Sequence, residues 1–264
     1  MLYEPNETRI SEKQLENVLK QLASSMYLLG GWAVYHIVNK NFEKANGRKY
    51  IGSRDIDIGF HIDKQWTDDQ IRKSDFASTL AIIENMGFKS VSSRYFKEFD
   101  MDTGKELTTE ESSKLPSYQI FYLYIDPIVD FIHPKIKTLF GFVPIDEPLL
   151  SFVFQEKMYT IVTLFKRKVF MPKPHVLLAM KLNSAPNRDK EHKKIKDIAD
   201  IYALLWHSDI TIAKLKNQLF SICPKEKMIK TVQILLKEDI NKVSTTIGID
   251  TKEISKVLTE LIHP

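Results

Sequence analysis

Apolar residues recur at helical spacing in SEKQLENVLKQLA (11–23), where Leu15, Val18, Leu19 and Leu22 form one stripe. Ser11, with Gln14 three residues on, predicts the N-cap of that helix. MYLLG (26–30) reads as a short buried strand ended by glycine, and WAVYHIVNK (32–40) returns to helical spacing. NFEKANGRKY (41–50) is polar and carries an Asn-Gly turn signal. DIDIGF (55–60) alternates strictly and predicts a strand. A helix is predicted over 67–88, capped by Thr67, acidic in its first turn and closed by Gly87. Residues 92–101 resemble a strand, and 102–116 a polar loop. YQIFYLYI (118–125) and IVDFI (128–132) read as two strands joined by the turn pair Asp126-Pro127.

The pattern then changes. Residues 157–171 keep strand character until Pro172 and Pro174, and from His175 the spacing is helical almost to the end. Helices are predicted near 175–185, 190–206, 210–221, 225–237 and 251–262. The expected class is α/β, in the α+β sense. A mixed-sheet domain over 1–135 is followed by a connecting segment with strand character over 136–172 and a helical bundle over 173–264.

Composition narrows the setting. The chain is 43% hydrophobic and 27% charged, as an ordinary globular protein is. Its one cysteine, Cys223, offers neither an internal disulfide nor a zinc cluster. No apolar run reaches the roughly 18 residues of a membrane span, and the polar N-terminus has no signal-peptide core. A cytoplasmic protein without a membrane partner is expected. The net charge of +4 permits an anionic partner without demanding one.

Chemistry gathers around two aspartates. Residues two apart in a strand share a face, so Asp55 and Asp57 project together while Ile56, Ile58 and Phe60 face the core. Paired carboxylates repel unless a cation lies between them. Mg²⁺ or Mn²⁺ would supply one, with substrate phosphates completing the shell. A solvated edge strand is the plainer explanation of D-x-D alone. Upstream, Gly30 and Gly31 open a helix whose first N–H groups suit a phosphate, although a tight turn would use the same glycines. Downstream, Asp130 is the lone charge on a face shared with Ile128 and Ile132. It is expected to join the first two as a third carboxylate.

In this order, GGWAVYHI, SRDIDIGF and IVDFI resemble the signature of the polymerase-beta-type nucleotidyltransferase superfamily. HVLLAMKLNSAPNRDKEHKKIKDIADIYALL (175–205) resembles the matching segment of the abortive-infection, AbiEii-like nucleotidyltransferases. The resemblance spans roughly 26–206. It implies metal-dependent transfer of a nucleoside monophosphate from an NTP to an acceptor hydroxyl, in a cleft between the two halves. Asp55, Asp57 and Asp130 would be the metal ligands, with Asp130 as general base. Gly30, Gly31, Ser53, Lys181 and Arg188 would hold the nucleotide, supported by Lys196, Asp197 and Asp200. The acceptor it suggests is an RNA 3′ end such as that of tRNA, and the partner of a toxin-like member would be a cognate antitoxin. A protein hydroxyl or a small molecule is the alternative acceptor.

The sequence departs from that pattern in two places. Gly31 stands where serine is common, leaving only backbone contact to phosphate. The longer gap before Asp55 brings in Lys40, Lys44, Arg48 and Lys49, which serve equally as a solvated loop. Two other readings compete: a catalytically inactive nucleotide- or partner-binding module, and a metal-dependent phosphohydrolase. The latter ranks lowest, because no His-Asp pairing is visible; separately, the sequence carries no P-loop and no G-x-S-x-G.

Overall fold

The computed structural model describes residues 4–22, 26–238 and 240–262. It is a mixed α/β protein with helices at its C-terminal end. Two compact units divide the chain. One holds Glu4–Trp32 and Gly52–Pro172. The other holds Ala33–Ile51 and the chain from Lys173 onward.

The first unit is built on an eight-stranded sheet. Its strands are β1 (Met26–Leu28), β2 (Ile56–Phe60), β3 (Lys89–Val91), β4 (Arg94–Asp100), β5 (Ile120–Val129), β6 (Ile145–Asp146), β7 (Tyr159–Leu164) and β8 (Arg167–Pro172). They run in the order β3-β4-β5-β2-β1-β8-β7, with β6 beside β5. The pairs β1–β8, β2–β5 and β5–β6 are parallel, and the rest antiparallel.

β5 corrects the two-strand reading. It runs unbroken through Asp126-Pro127, because Pro127 falls where the missing N–H costs least. Pairing with β4 ends at Ile125, and pairing with β6 begins at Ile128. β7 and β8 form a hairpin whose two turn residues, Phe165 and Lys166, both have positive φ (48° and 65°). That backbone matches the right-handed twist of the strands.

Helix α1 (Pro5–Gln21) starts six residues before the predicted cap. Proline in its first turn and the Glu4 N–H donating to Glu7 Oε2 at 3.1 Å set the true start. Ser11 is instead buried within the helix and accepts the Trp32 indole N–H at 2.9 Å. The last predicted residue of this helix, Ala23, lies outside the described residues. The single predicted helix over 67–88 is two, α3 (Asp68–Arg72) and α4 (Asp75–Asn85). Ser74 restarts it by accepting from the Ala77 N–H. Short helices α5 (Thr109–Ser113), α6 (Ile136–Phe140) and α7 (Leu150–Phe154) complete this unit.

Helix α2 (Gly30–Asn46) begins one residue after β1 and continues through most of the predicted polar loop. The second unit adds α8 (Pro174–Ser184), α9 (Glu191–His207), α10 (Ile212–Ile222), α11 (Lys225–Leu235), α12 (Ile240–Ile247) and α13 (Thr251–Thr259). Helix α12 was not predicted: its run of Val243, Ser244, Thr245 and Thr246 has weak helix propensity. Burial of Val243 and Ile247 outweighs it.

Candidate functional site

The row of carboxylates follows from register. Asp57 on β2 pairs with Asp126 on β5, and continuing the β4–β5 register sets Arg94 opposite Asp126. Directly paired residues share a face, so all three side chains project together, with Asp55 two residues behind Asp57. Asp126 is buried, at 5% exposure. The Arg94 guanidinium clasps it through two nitrogens: Nε donates to Oδ1 at 2.8 Å, and Nη2 donates to Oδ2. The same Nη2 lies 3.3 Å from Asp55 Oδ2. The guanidinium also stacks over the Tyr124 ring, 4.1 Å from its centroid. Burial alone would lower the Arg94 pKa. The hydrogen bond and charge of Asp126, with Asp55 and Asp57 adding theirs, outweigh it and raise the pKa.

The strand-to-helix turn closes on this row. Gly30 has φ +59°, and a Cβ there would fall 1.7 Å from Asp57 Oδ2. Only glycine tolerates both the left-handed backbone and a carboxylate in that place. The Leu29 N–H donates to the Asp57 carbonyl at 2.9 Å and fixes the turn against β2. Gly31 is buried as the second residue of α2, and Ser53 is buried just before Asp55.

Asp130 is not brought to this row. It follows β5 four residues beyond Asp126, which at the usual strand rise is about 13 Å along the sheet. Its carboxylate accepts from the Ile62 N–H at 2.9 Å and meets His61 Nδ1 at 2.5 Å. With His61 it lines a separate groove of about 840 Å³. The expected convergence of Asp55, Asp57 and Asp130 is therefore corrected, and Asp126 stands in the third place. A His-Asp pairing invisible in the sequence also emerges here, away from the carboxylate row.

From sequence Asp126 is the next candidate after Asp130, ranked behind it because Asp-Pro reads as a turn. The signal that finds it is parity: Tyr122, Tyr124 and Asp126 alternate on one face of a single strand. Arg94 gave no comparable signal, since nothing local marks which arginine of an alternating strand meets a carboxylate.

Asp55 and Asp57 offer hard oxygen donors that suit Mg²⁺ or Mn²⁺. Among the described residues, however, no group of three or more His, Cys, Asp or Glu is arranged to hold a metal ion. Asp126, the third carboxylate of the row, is engaged by Arg94.

The remaining predicted residues gather within the helical unit. Lys181 Nζ lies 2.6 Å from Asp197 Oδ1 and 2.7 Å from Asp200 Oδ2. Asp197 also accepts from Arg188 Nε at 2.7 Å and Ser184 Oγ at 3.0 Å. Asp200 accepts from Lys196, and from the Tyr50 hydroxyl at 2.9 Å. Burial pulls the Lys181 pKa down, but Asp197 and Asp200 reverse this and raise it. Burial lowers that of Lys196, with Lys181 adding to the shift. Asp197 is held low by Lys181 and Arg188 against its burial. The Lys181 ammonium thus serves two carboxylates, and Arg188, 36% exposed, is the more accessible cation of the group.

Fold and site together define an α/β protein with an aspartate row against a glycine-started helix. No protein-family model matches the chain. No curated protein matches it either. Among solved structures it is similar to an antigenic nucleotidyltransferase-like protein from Paracoccidioides brasiliensis, at 15% identity and a TM-score of 0.44 over 93% of each chain. No helix among the described residues is long and apolar enough to cross a membrane.

Proposed function

We propose that the protein is a metal-dependent nucleotidyltransferase. It would move a nucleoside monophosphate from a nucleoside triphosphate to an acceptor hydroxyl and release pyrophosphate. The observation that carries this reading is the packing of Asp57 against Gly30, which sets a carboxylate pair at the start of a 17-residue helix. Asp55 and Asp57 would hold Mg²⁺ or Mn²⁺, which supplies positive charge to the triphosphate when bound. The N–H groups of the first turn of α2 lack intrahelical acceptors and would receive phosphate oxygens. The favoured acceptor is an RNA 3′ end, including that of tRNA; a toxin-like role with an antitoxin rests on the sequence resemblance alone.

The test is incubation with each α-labelled NTP, Mg²⁺, and total RNA, lysate protein or small-molecule extract as acceptor. Label should enter one acceptor class, and Asp57→Asn should reduce incorporation at least 100-fold while the circular dichroism spectrum is kept. Absence of transfer to every class would overturn the reading. A second reading, a nucleotide-binding module without turnover, is favoured by the hold of Arg94 on Asp126. It predicts calorimetric NTP binding with no label transferred.

A further inference from the structure

The aspartate row carries its own cation. Arg94 is aligned with Asp126 by strand register, grips it through two nitrogens, reaches Asp55 with one of them and stacks on Tyr124. Bidentate pairing of this kind is strong and directional, and a planar guanidinium fits it where an ammonium does not. Its side chain is 21% exposed and that of Asp126 7%, so the pair is largely withdrawn from water. A divalent ion between Asp126 and Asp55 would have to break the fork, unstack the guanidinium and then endure its charge nearby.

Building on the proposed function, we infer that Arg94 replaces one divalent ion of the carboxylate row. Asp126 serves to position Arg94, and the row binds a single ion, at Asp55 and Asp57. The fixed charge of Arg94 then takes over part of the neutralisation that a second ion would give. It does so at every metal concentration, because the guanidinium is never lost to solution.

The experiment is the stoichiometry of Mn²⁺ on the full chain, read by electron paramagnetic resonance of free Mn²⁺ and by calorimetry, without nucleotide. The wild-type protein should bind one ion per chain. Arg94→Met, which keeps the stem and removes the charge, should bind two. Arg94→Gln provides the same comparison should the methionine variant fail to fold. Two ions on the wild-type chain would overturn the inference and leave the transferase reading intact. No ion on the wild-type chain would overturn both. One ion on well-folded Arg94→Met and Arg94→Gln would also overturn it, since Arg94 would then exclude nothing.

Discussion

At the scale of single residues, the closest constraint is the one between Gly30 and Asp57. Gly30→Ala places a methyl group on a carboxylate oxygen and keeps a side chain at φ +59°. The backbone strain alone costs about 1–3 kcal/mol, and the overlap adds to it. Urea unfolding should show that loss, and Asp57→Ala in the same chain should restore part of it by removing the group struck. Equal stability of the single and double variants would refute the account. His175 sets a pH limit. Burial, with Lys173 adding its charge, pushes its pKa down to about 4. The unfolded imidazole takes its proton near pH 6.5 and the folded one not until about pH 4. Stability is therefore lost as pH falls between those values, by up to about 3 kcal/mol. Urea midpoints at pH 7 and 4.5 should differ less for His175→Gln than for wild type. Asp55 and Asp57 were legible in the sequence because a period-two alternation exposes which residues share a face. Asp126 sat behind a local turn signal, and only pairing with neighbouring strands reveals that Pro127 needs no donor. The contact of Arg94 was not legible at all, since it depends on a partner across the sheet.

At the scale of elements, helices α8 and α9 are joined by a buried charge cluster whose balance sets its response to mutation. Among the described residues, the buried Lys181 and Lys196 and the partly exposed Arg188 face Asp197 and Asp200, so cations outnumber anions there. Removing an anion leaves buried positive charge unpaired, which typically costs 3–5 kcal/mol. Removing a cation leaves two against two. Asp200→Ala should therefore lower the urea midpoint by several kcal/mol, and Lys196→Met or Lys181→Met by clearly less. The opposite ranking would show that the packing of the lysine stems, not charge balance, decides. The helical spacing of this region was plain from sequence, because α9 buries a long stripe that includes Ile198, Ile201, Tyr202 and Leu205. The ends of the elements were less so. α1 starts early through Glu4, Pro5 and Glu7, and α4 restarts at Ser74; such caps act over one turn and leave the apolar stripe unchanged.

At the scale of the whole molecule, the chain leaves the sheet unit after Trp32, returns at Gly52 and leaves again after Pro172. The excursion is integral to the helical unit. The ring of Phe42 lies 5.0 Å from that of His207, Asn41 donates to the His207 carbonyl at 2.9 Å, and the Tyr50 hydroxyl donates to Asp200. Phe42 is 1% exposed, so its absence would open a large cavity. A fragment starting at Lys173 should lack a cooperative thermal transition by circular dichroism. Fusing residues 33–51 to it through a flexible linker should restore one. A cooperative melt of the bare fragment would show that the excursion is dispensable. Composition and periodicity are read along the chain, so they registered the shift near 172 and had no access to the exchange of 33–51.

The parallel pairing of β1 with β8 has a consequence for synthesis. Met26 leaves the ribosome well over a hundred residues before Val169, its neighbour in the sheet. Until that partner emerges, β1 has β2 on one side and an open hydrogen-bonding edge on the other. An open strand edge invites pairing with other chains. A nascent chain arrested before β8 is thus the form of this protein most in need of a chaperone, and completion of the hairpin at Phe165–Lys166 is the event that ends the need.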